Sequence, residues 1–362
     1  LIWKAWTLGH KYRQFQVLYK FLIKVQIRKR YYDKFHKHYK KVFDKYNPDL
    51  VVGASPGVNS RLDLPVFAEA QKRGIRTLAL IHSWDNIAKR KGPMWIRPDI
   101  LGVWNEFQEQ DAIKANFYEK KEIKIVGPPH FDIYWKKDTF LSREDFFKKI
   151  GLDCNKKTVT MIATCPGLVR NSYIVDILLD ALRKNKFAVP VQLICRPTPS
   201  VNSKWNDTQF GRFDNNPDVF IDRQVQYSAK LGWKPDNAQL YHFANLLQHS
   251  DVIVNIVSTA TIEAAILDRP VVMVAFSTLQ PEMFNKHITN SVCKEHFKVV
   301  VDSGAAYMAK DPEDLTTGIN KYLVDPAMHR KERSNLKNVI VHKADGRAVE
   351  RISRLILELI NN

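Results

Sequence analysis

Three short stretches of this chain carry side chains suited to chemistry. In "HSDVIVNIVSTATIEAAILDRPVVMVAF" (249–276) an apolar run stops at Val257, and Ser258, Thr259 and Thr261 follow, with Glu263 in the next turn. Small hydroxyl side chains where a helix opens suit a phosphate, because backbone N–H groups are free there and the helix dipole is positive. A carboxylate one turn further in can accept two hydrogen bonds from vicinal ribose hydroxyls. The same residues also read as an ordinary N-cap, with Glu263 complementing the dipole. In "TLALIHSWDN" (77–86), His82 closes another apolar run. Open α/β sheets bind ligands at the carboxyl ends of their strands. An imidazole there can take the proton of an attacking hydroxyl, with Asp85 orienting it or serving as base in its place. The plain alternative is a structural histidine bonded to a backbone carbonyl. Arg196 ends the run "VQLICR" (191–196), where its fork of donors fits a phosphate or a surface ion pair. Lys89, Arg90 and Lys91 meet an anionic acceptor or form a solvated face. His130, His242 and His249 read as structural.

Missing motifs narrow the chemistry. No two glycines stand two apart, which excludes GxGxxG, and GxxxxGK[ST] and HExxH are absent too. No Asp lies two residues from another, so the DxD clamp that would hold a metal on a nucleotide-sugar is lacking. Side chains and helix dipoles are expected to run the reaction, with no metal site and no resident cofactor. The four cysteines form no CxxC pair, which argues against zinc and against a disulfide framework and favours a reduced, cytoplasmic compartment.

The elements that must position these residues are strands and helices in alternation. Apolar strands are expected within 48–55, 76–83, 97–105, 121–132, 157–166, 189–199, 218–223, 251–258 and 269–276. Helices are expected over 64–74, 106–116, 172–184, 240–248, 259–267 and 347–360. Short apolar strands alternating with helices make parallel sheets. A length of 362 residues with 45% hydrophobic composition suits two domains, each large enough for a core, and excludes a disordered chain. A Lys-rich stretch follows residue 134, with a helix capped by Ser142 and Asp145 at its third position, and the rhythm restarts after it. The expected division is a basic helical segment at 1–46, a first domain at 47–140, a linker at 141–157, a second domain at 158–345 and a closing helix at 346–362.

The first 46 residues are unusual. They hold thirteen Lys or Arg against two Asp, eleven of the eighteen net positive charges, interleaved with twelve aromatic residues and no proline. One or two long amphipathic helices are expected. Three roles fit them: packing on the domain, peripheral contact with an anionic membrane, or nucleic-acid binding. The last ranks lowest because no nucleic-acid motif accompanies the charge, and no nucleic-acid partner is expected. No run of about 18 apolar residues spans a bilayer. The expected location is cytoplasmic, peripheral at the inner face of the cytoplasmic membrane. The first residue is not Met and the first strong strand comes only near residue 50, so an upstream extension is expected, with opening strands of the first domain outside the chain.

Several of these segments together resemble GT-B glycosyltransferases, and in particular their CDP-glycerol glycerophosphotransferase branch. The 249–276 segment is similar to the diphosphate- and ribose-binding strand–helix of that superfamily. "IHSWDNIAKRKGP" (81–93) resembles its strand-end His-Gly loop, and "VGPPHFDIYW" (126–135) its Gly-x-Pro-x-x-Asp turn. "MIATCPGLVR" (161–170) resembles the opening strand and loop of its second domain, and "ICRPTP" (194–199) its Lys-Pro-His-Pro position. The match covers roughly residues 48–300, in order. It implies an α/β fold of two Rossmann-like parallel-sheet domains facing a cleft. It implies a donor site drawing on Gly167, Arg170, Arg196, Ser258, Thr259, Thr261 and Glu263, with Asp236 and Asn237 near the nucleotide base. Asp236 also reads as a helix cap. The chain has Ser83 where the branch has glycine and Thr198 where it has a second histidine. These departures favour an inverting, metal-independent sugar transferase. Its substrates would be a nucleotide-activated sugar and a surface-glycan or glycolipid acceptor, with His82 and Asp85 as the catalytic pair. A glycerophosphotransferase, a sugar-nucleotide 2-epimerase and a non-enzymatic basic membrane- or nucleic-acid-binding protein are the alternatives.

Overall fold

The aliphatic and β-branched runs pair side by side in parallel, and runs such as 252–255 and 271–274, buried on both faces, need helices above and below them. The computed structural model describes residues 1–27, 33–54, 63–88, 92–94, 96–164, 169–198, 208–223, 227–228, 232–233, 236–295 and 297–361. Gly167 and the basic run of Lys89, Arg90 and Lys91 lie outside the described residues. The chain divides into two units, Leu1–Asp132 with Val339–Asn362, and Ile133–Asn338.

The first unit is built on a parallel sheet of β1 (Leu50–Gly53), β2 (Arg76–Leu80), β3 (Ile100–Val103) and β4 (Ile123–Ile125), in that order. Leu50 sits opposite Arg76, Leu78 opposite Ile100 and Leu101 opposite Ile123. Thr77 is fully buried in β2 and is satisfied by Asp99, which accepts from its amide at 2.8 Å and its hydroxyl at 2.6 Å. The closing helix, Ala348–Asn361, packs Ile352 and Leu355 against Leu78 and Val126. It therefore belongs to the first unit, although it lies at the far end of the sequence.

The basic N-terminal segment forms three helices, Ile2–Gly9, Arg13–Ile27 and Asp33–Tyr46, where one or two were expected. Their apolar stripe, comprising Ile2, Ala5, Trp6, Tyr19, Ile23 and Phe43, is part of the main core of this unit together with Phe67 and Leu101. Trp6 Nε1 donates to the carbonyl of Ala115 at 2.6 Å, and the Tyr19 hydroxyl donates to that of Met94 at 3.0 Å. The packing role thus holds for the inward face of the segment.

The second unit holds six parallel strands in the order β12-β11-β10-β5-β6-β7. They are β5 (Lys157–Ile162), β6 (Val191–Arg196), β7 (Val219–Ile221), β10 (Val252–Asn255), β11 (Val271–Val274) and β12 (Tyr307–Ala309), while β8 (Tyr227–Ser228) and β9 (Gly232–Trp233) make a separate antiparallel pair. The stretch expected as a linker folds into this unit. Ser142 caps the helix Arg143–Ile150 by accepting from the Asp145 amide, and Phe146, Phe147 and Ile150 join a core with Ile194 and Leu246. The passage between units falls between Asp132 and Ile133, inside the 3-10 helix Pro129–Trp135. Strand β12 and the helices Pro312–Val324 and Arg330–Ile340 complete the unit beyond the expected elements.

Candidate functional site

In the second unit, the carboxyl ends of β5, β6 and β10 are laced together by side chains. The Thr164 hydroxyl donates to the Val257 carbonyl at 2.9 Å, and Thr198 donates to Ala163 and Thr164 carbonyls at 2.6 and 2.8 Å. Asn171 closes the loop after β5, accepting from the Thr164 amide and donating to the Val169 carbonyl. Thr198, at the position of the family's second histidine, is thus a strut between strand ends. Arg170 lies beside this loop and is exposed.

The turn after β10 corrects the expectation of a ready-made phosphate cradle. The helix Ala260–Ile266 has seven residues, and its early amides already have partners. The Ala260 amide donates to Ser258 Oγ, the Thr261 amide to the Ser258 carbonyl, and the Ile262 and Glu263 amides to the Thr259 carbonyl. Thr261 is buried, and its hydroxyl exchanges hydrogen bonds with the Asn255 side chain at 3.1–3.2 Å. It braces β10 against the helix. Ser258 and Thr259 remain half-buried, with the Ser258 hydroxyl proton still available to donate.

Glu263 is also half-buried, and the hydroxyl of Tyr134 donates to its Oε1 at 2.6 Å. Burial pushes the carboxyl up to about 7, opposed by the Tyr134 bond and the charge of Arg196. Burial and the adjoining carboxylate likewise hold the Tyr134 phenol well above its ordinary range.

Arg196 departs from both sequence readings, surface ion pair and direct phosphate ligand. It is 5% exposed, ion-paired to Asp222 just past β7, and its guanidinium lies 5.1 Å from the Phe243 ring centre. His242 donates from Nε2 to the same Asp222 carboxylate at 3.0 Å, so the buried Asp222 serves two partners. Burial alone would raise the Asp222 pKa, but the His242 bond and the Arg196 charge outweigh it and hold it at about 2. His242 Nδ1 is buried with no hydrogen-bond partner among the described residues. Asp236 is a helix cap, accepting from the Gln239 amide at 2.8 Å, and Asn237 opens that helix, exposed.

In the first unit, His82 lies two residues beyond β2 and is exposed. Its Nδ1 is 2.8 Å from the Ala54 carbonyl oxygen. A carbonyl only accepts, so Nδ1 carries the proton and the neutral ring keeps a lone pair on Nε2, the form a general base needs. The carbonyl bond fixes the ring. Asp85 Oδ1 accepts from the Ser83 hydroxyl at 2.7 Å and braces the turn, while Ala54 holds the imidazole. Ser83, where the family has glycine, is built into this turn, its amide donating to Asn86 at 2.9 Å and its carbonyl accepting from Gln108. His130 was missed as part of this site. Its ring lies 5.0 Å from Trp104 and 4.2 Å from Phe131, and although its edge reaches solvent, the surrounding protein, and repulsion from His82 when that ring is protonated, lower its pKa to about 4. Tyr134 was missed as well. Both lie in "VGPPHFDIYW", whose sequence marks a turn and gives no sign of which side chains meet a site.

No protein-family model matches the chain, and no curated protein matches it in sequence. Solved structures do resemble it. A UDP-GlcNAc 2-epimerase from Neisseria meningitidis, bound to UDP-GlcNAc, superposes with a TM-score of 0.55 at 12% identity, covering 88% of this chain and 78% of that one. The UDP-GlcNAc 2-epimerase from Methanocaldococcus jannaschii gives 0.54 at 18% identity, covering 90% and 81%. The wall teichoic acid polymerase TagF gives 0.51 at 11% identity, covering 95% and 98%. At these identities the likeness is one of architecture, and with its two parallel-sheet α/β units in tandem the chain has the GT-B fold.

Proposed function

We propose that this chain is a glycosyltransferase that moves a sugar from a nucleotide-activated donor to a hydroxyl of a surface-glycan or glycolipid acceptor, with inversion and without a metal. The observation that carries the reading is the His82 ring, exposed at a strand end with Nδ1 held by a carbonyl. Its Nε2 takes the proton of the acceptor hydroxyl as that oxygen attacks the anomeric carbon. The bond from that carbon to the nucleoside diphosphate breaks, and the leaving group carries the electron pair away. In the second unit, the Ser258 and Thr259 hydroxyls donate to the departing phosphates and Glu263 accepts from the ribose. Arg196 contributes its charge from within the protein, where its Nη1 is paired with Asp222. The structural likeness to proteins that bind a nucleotide-sugar supports the donor class.

The N-terminal helices support attachment to an anionic membrane surface. On the helix Arg13–Ile27, Val17, Phe21 and Val25 are 67%, 61% and 47% exposed, at a spacing of four, with Lys11, Arg13 and exposed Tyr12 near its start. Such an outward apolar stripe beside basic residues fits the acyl–headgroup boundary of anionic lipid. Among the described residues no helix is long and apolar enough to cross a membrane.

A 2-epimerase keeps one supporting observation, the second imidazole, His130, beside His82. One experiment separates the two. Labelled UDP-, CDP-, GDP- and dTDP-sugars are incubated with and without a bacterial envelope glycolipid extract. Label passing to the extract supports transfer, whereas epimer formed without extract supports the rival.

A further inference from the structure

The contact between Tyr134 and Glu263 joins residues 129 positions apart and is used by none of the steps above. Tyr134 is 9% exposed, so its hydroxyl is held where it is by packing and not by solvent exchange. Glu263 lies in the helix Ala260–Ile266 with one carboxylate oxygen, Oε1, given to Tyr134. A carboxylate has two oxygens with about four acceptor positions, so Oε2 and the second lone pair of Oε1 stay open to further donors. A phenol donating to one side of a carboxylate fixes its plane and favours its ionised form, because a protonated carboxyl accepts that bond less well. The cation acting on Glu263 is Arg196, which is paired with Asp222.

We propose that Tyr134 is a positioning residue for nucleotide recognition: its hydroxyl orients Glu263 and favours its ionised form, so that Glu263 can accept from the vicinal hydroxyls of the donor's ribose. This rests on the reading of Glu263 as the ribose acceptor. Burial alone drives the carboxyl toward its neutral state, and a neutral carboxyl offers a ribose diol one good acceptor fewer. With the phenol removed, that tendency is less opposed. The ribose contact is then expected to fail at neutral pH and return in base.

The test compares a nucleoside diphosphate with its 2′,3′-dideoxy analogue. UDP, CDP and GDP are titrated calorimetrically into the full chain, and the base that binds best is carried forward. The ratio of ribo to dideoxy affinity isolates the sugar hydroxyls and cancels titration of the phosphates. In the wild type this ratio rises as pH passes through about 7. In Tyr134→Phe the rise moves upward by about one pH unit, which cuts the ratio roughly fivefold at pH 7 and restores it near pH 9. A Tyr134→Phe profile that overlays the wild type overturns the proposal, as does a ratio that increases at every pH, which would make Tyr134 a competitor of the ribose. Failure of the underlying reading looks different: the wild-type ratio is then near one at all pH values and Glu263→Gln leaves it there. A carbon-13 titration of the Glu263 carboxyl in the wild type needs no folded variant. A midpoint near 7 supports the proposal, and one at the ordinary value of 4.5 overturns it.

Discussion

Removing the Asp222 carboxylate is expected to destabilise the second unit severely. Asp222 is 1% exposed, between Arg196 at 5% and His242 at 5%. Asp222→Ala leaves the guanidinium buried without its counter-charge and the His242 Nε2–H without its acceptor. Breaking a buried pair on one side costs roughly 3–5 kcal/mol, because the remaining charge stays desolvated. Domains are stable by only about 5–15 kcal/mol, so much of the margin disappears. Acid titration of the wild type gives a smaller, independent figure. The carboxyl titrates at about 2 folded against 3.8 ordinarily, a difference of roughly two pH units and about 2 kcal/mol. Because the folded value is the lower one, this stabilisation is complete above the unfolded pKa, is lost as pH falls from about 4 toward 2, and does not change near neutrality. Urea unfolding of wild type, Asp222→Ala and the double variant Arg196→Met with Asp222→Leu, at pH 7 and pH 3, measures both. The single variant should lose several kcal/mol and the double variant should regain most of it, since an apolar pair of similar volume replaces the ion pair. A loss under about 1 kcal/mol in Asp222→Ala, or no recovery in the double variant, would refute the assignment of Arg196 as an internal cation. An Arg196→Lys protein of normal stability that no longer binds nucleotide would restore its direct phosphate role.

Three further outcomes are expected. Thr259→Ala combined with Glu263→Ala should abolish nucleotide binding by calorimetry while the melting temperature holds within a few degrees; full affinity in this variant would remove the donor site from the turn after β10. Val17→Ser with Phe21→Ser should weaken binding to anionic liposomes at low salt without loss of stability, because both side chains point outward; whole deletion of residues 1–46 is a poor test, since Trp6, Tyr19, Ile23 and Phe43 belong to the core. Sugar transfer should survive EDTA unchanged, and a reversible requirement for Mg²⁺ or Mn²⁺ would contradict the metal-free mechanism.

Periodicity and capping made most of this architecture legible in advance. Every expected strand formed, since runs such as "VIVN" and "VVMV" have no polar face to offer water and can only sit inside a parallel sheet. The cap at Ser142 was readable from a three-residue spacing. What failed to show was partnership over distance. Nothing local says that Asp222 will claim Arg196 and His242, or that Tyr134 will meet Glu263 from 129 residues away. The basic helices left three roles open for a related reason: charge and aromatic content describe a surface, whereas the inward stripe of Trp6, Tyr19 and Ile23 becomes core only once the sheet exists. The closing helix was found in place, but its membership in the first unit depends on Leu78 and Val126, more than two hundred residues earlier.

The central claim is proton removal by His82, and one variant tests it. In His82→Ala, the rate of label transfer to the glycolipid extract should fall by about 10²–10⁴-fold, the usual worth of a positioned base. Donor affinity and melting temperature, measured on the same protein, should stay near wild type, because the side chain is exposed and, among the described residues, its one bond is to the Ala54 carbonyl. A His82→Ala enzyme that transfers sugar at a near-normal rate would contradict the account.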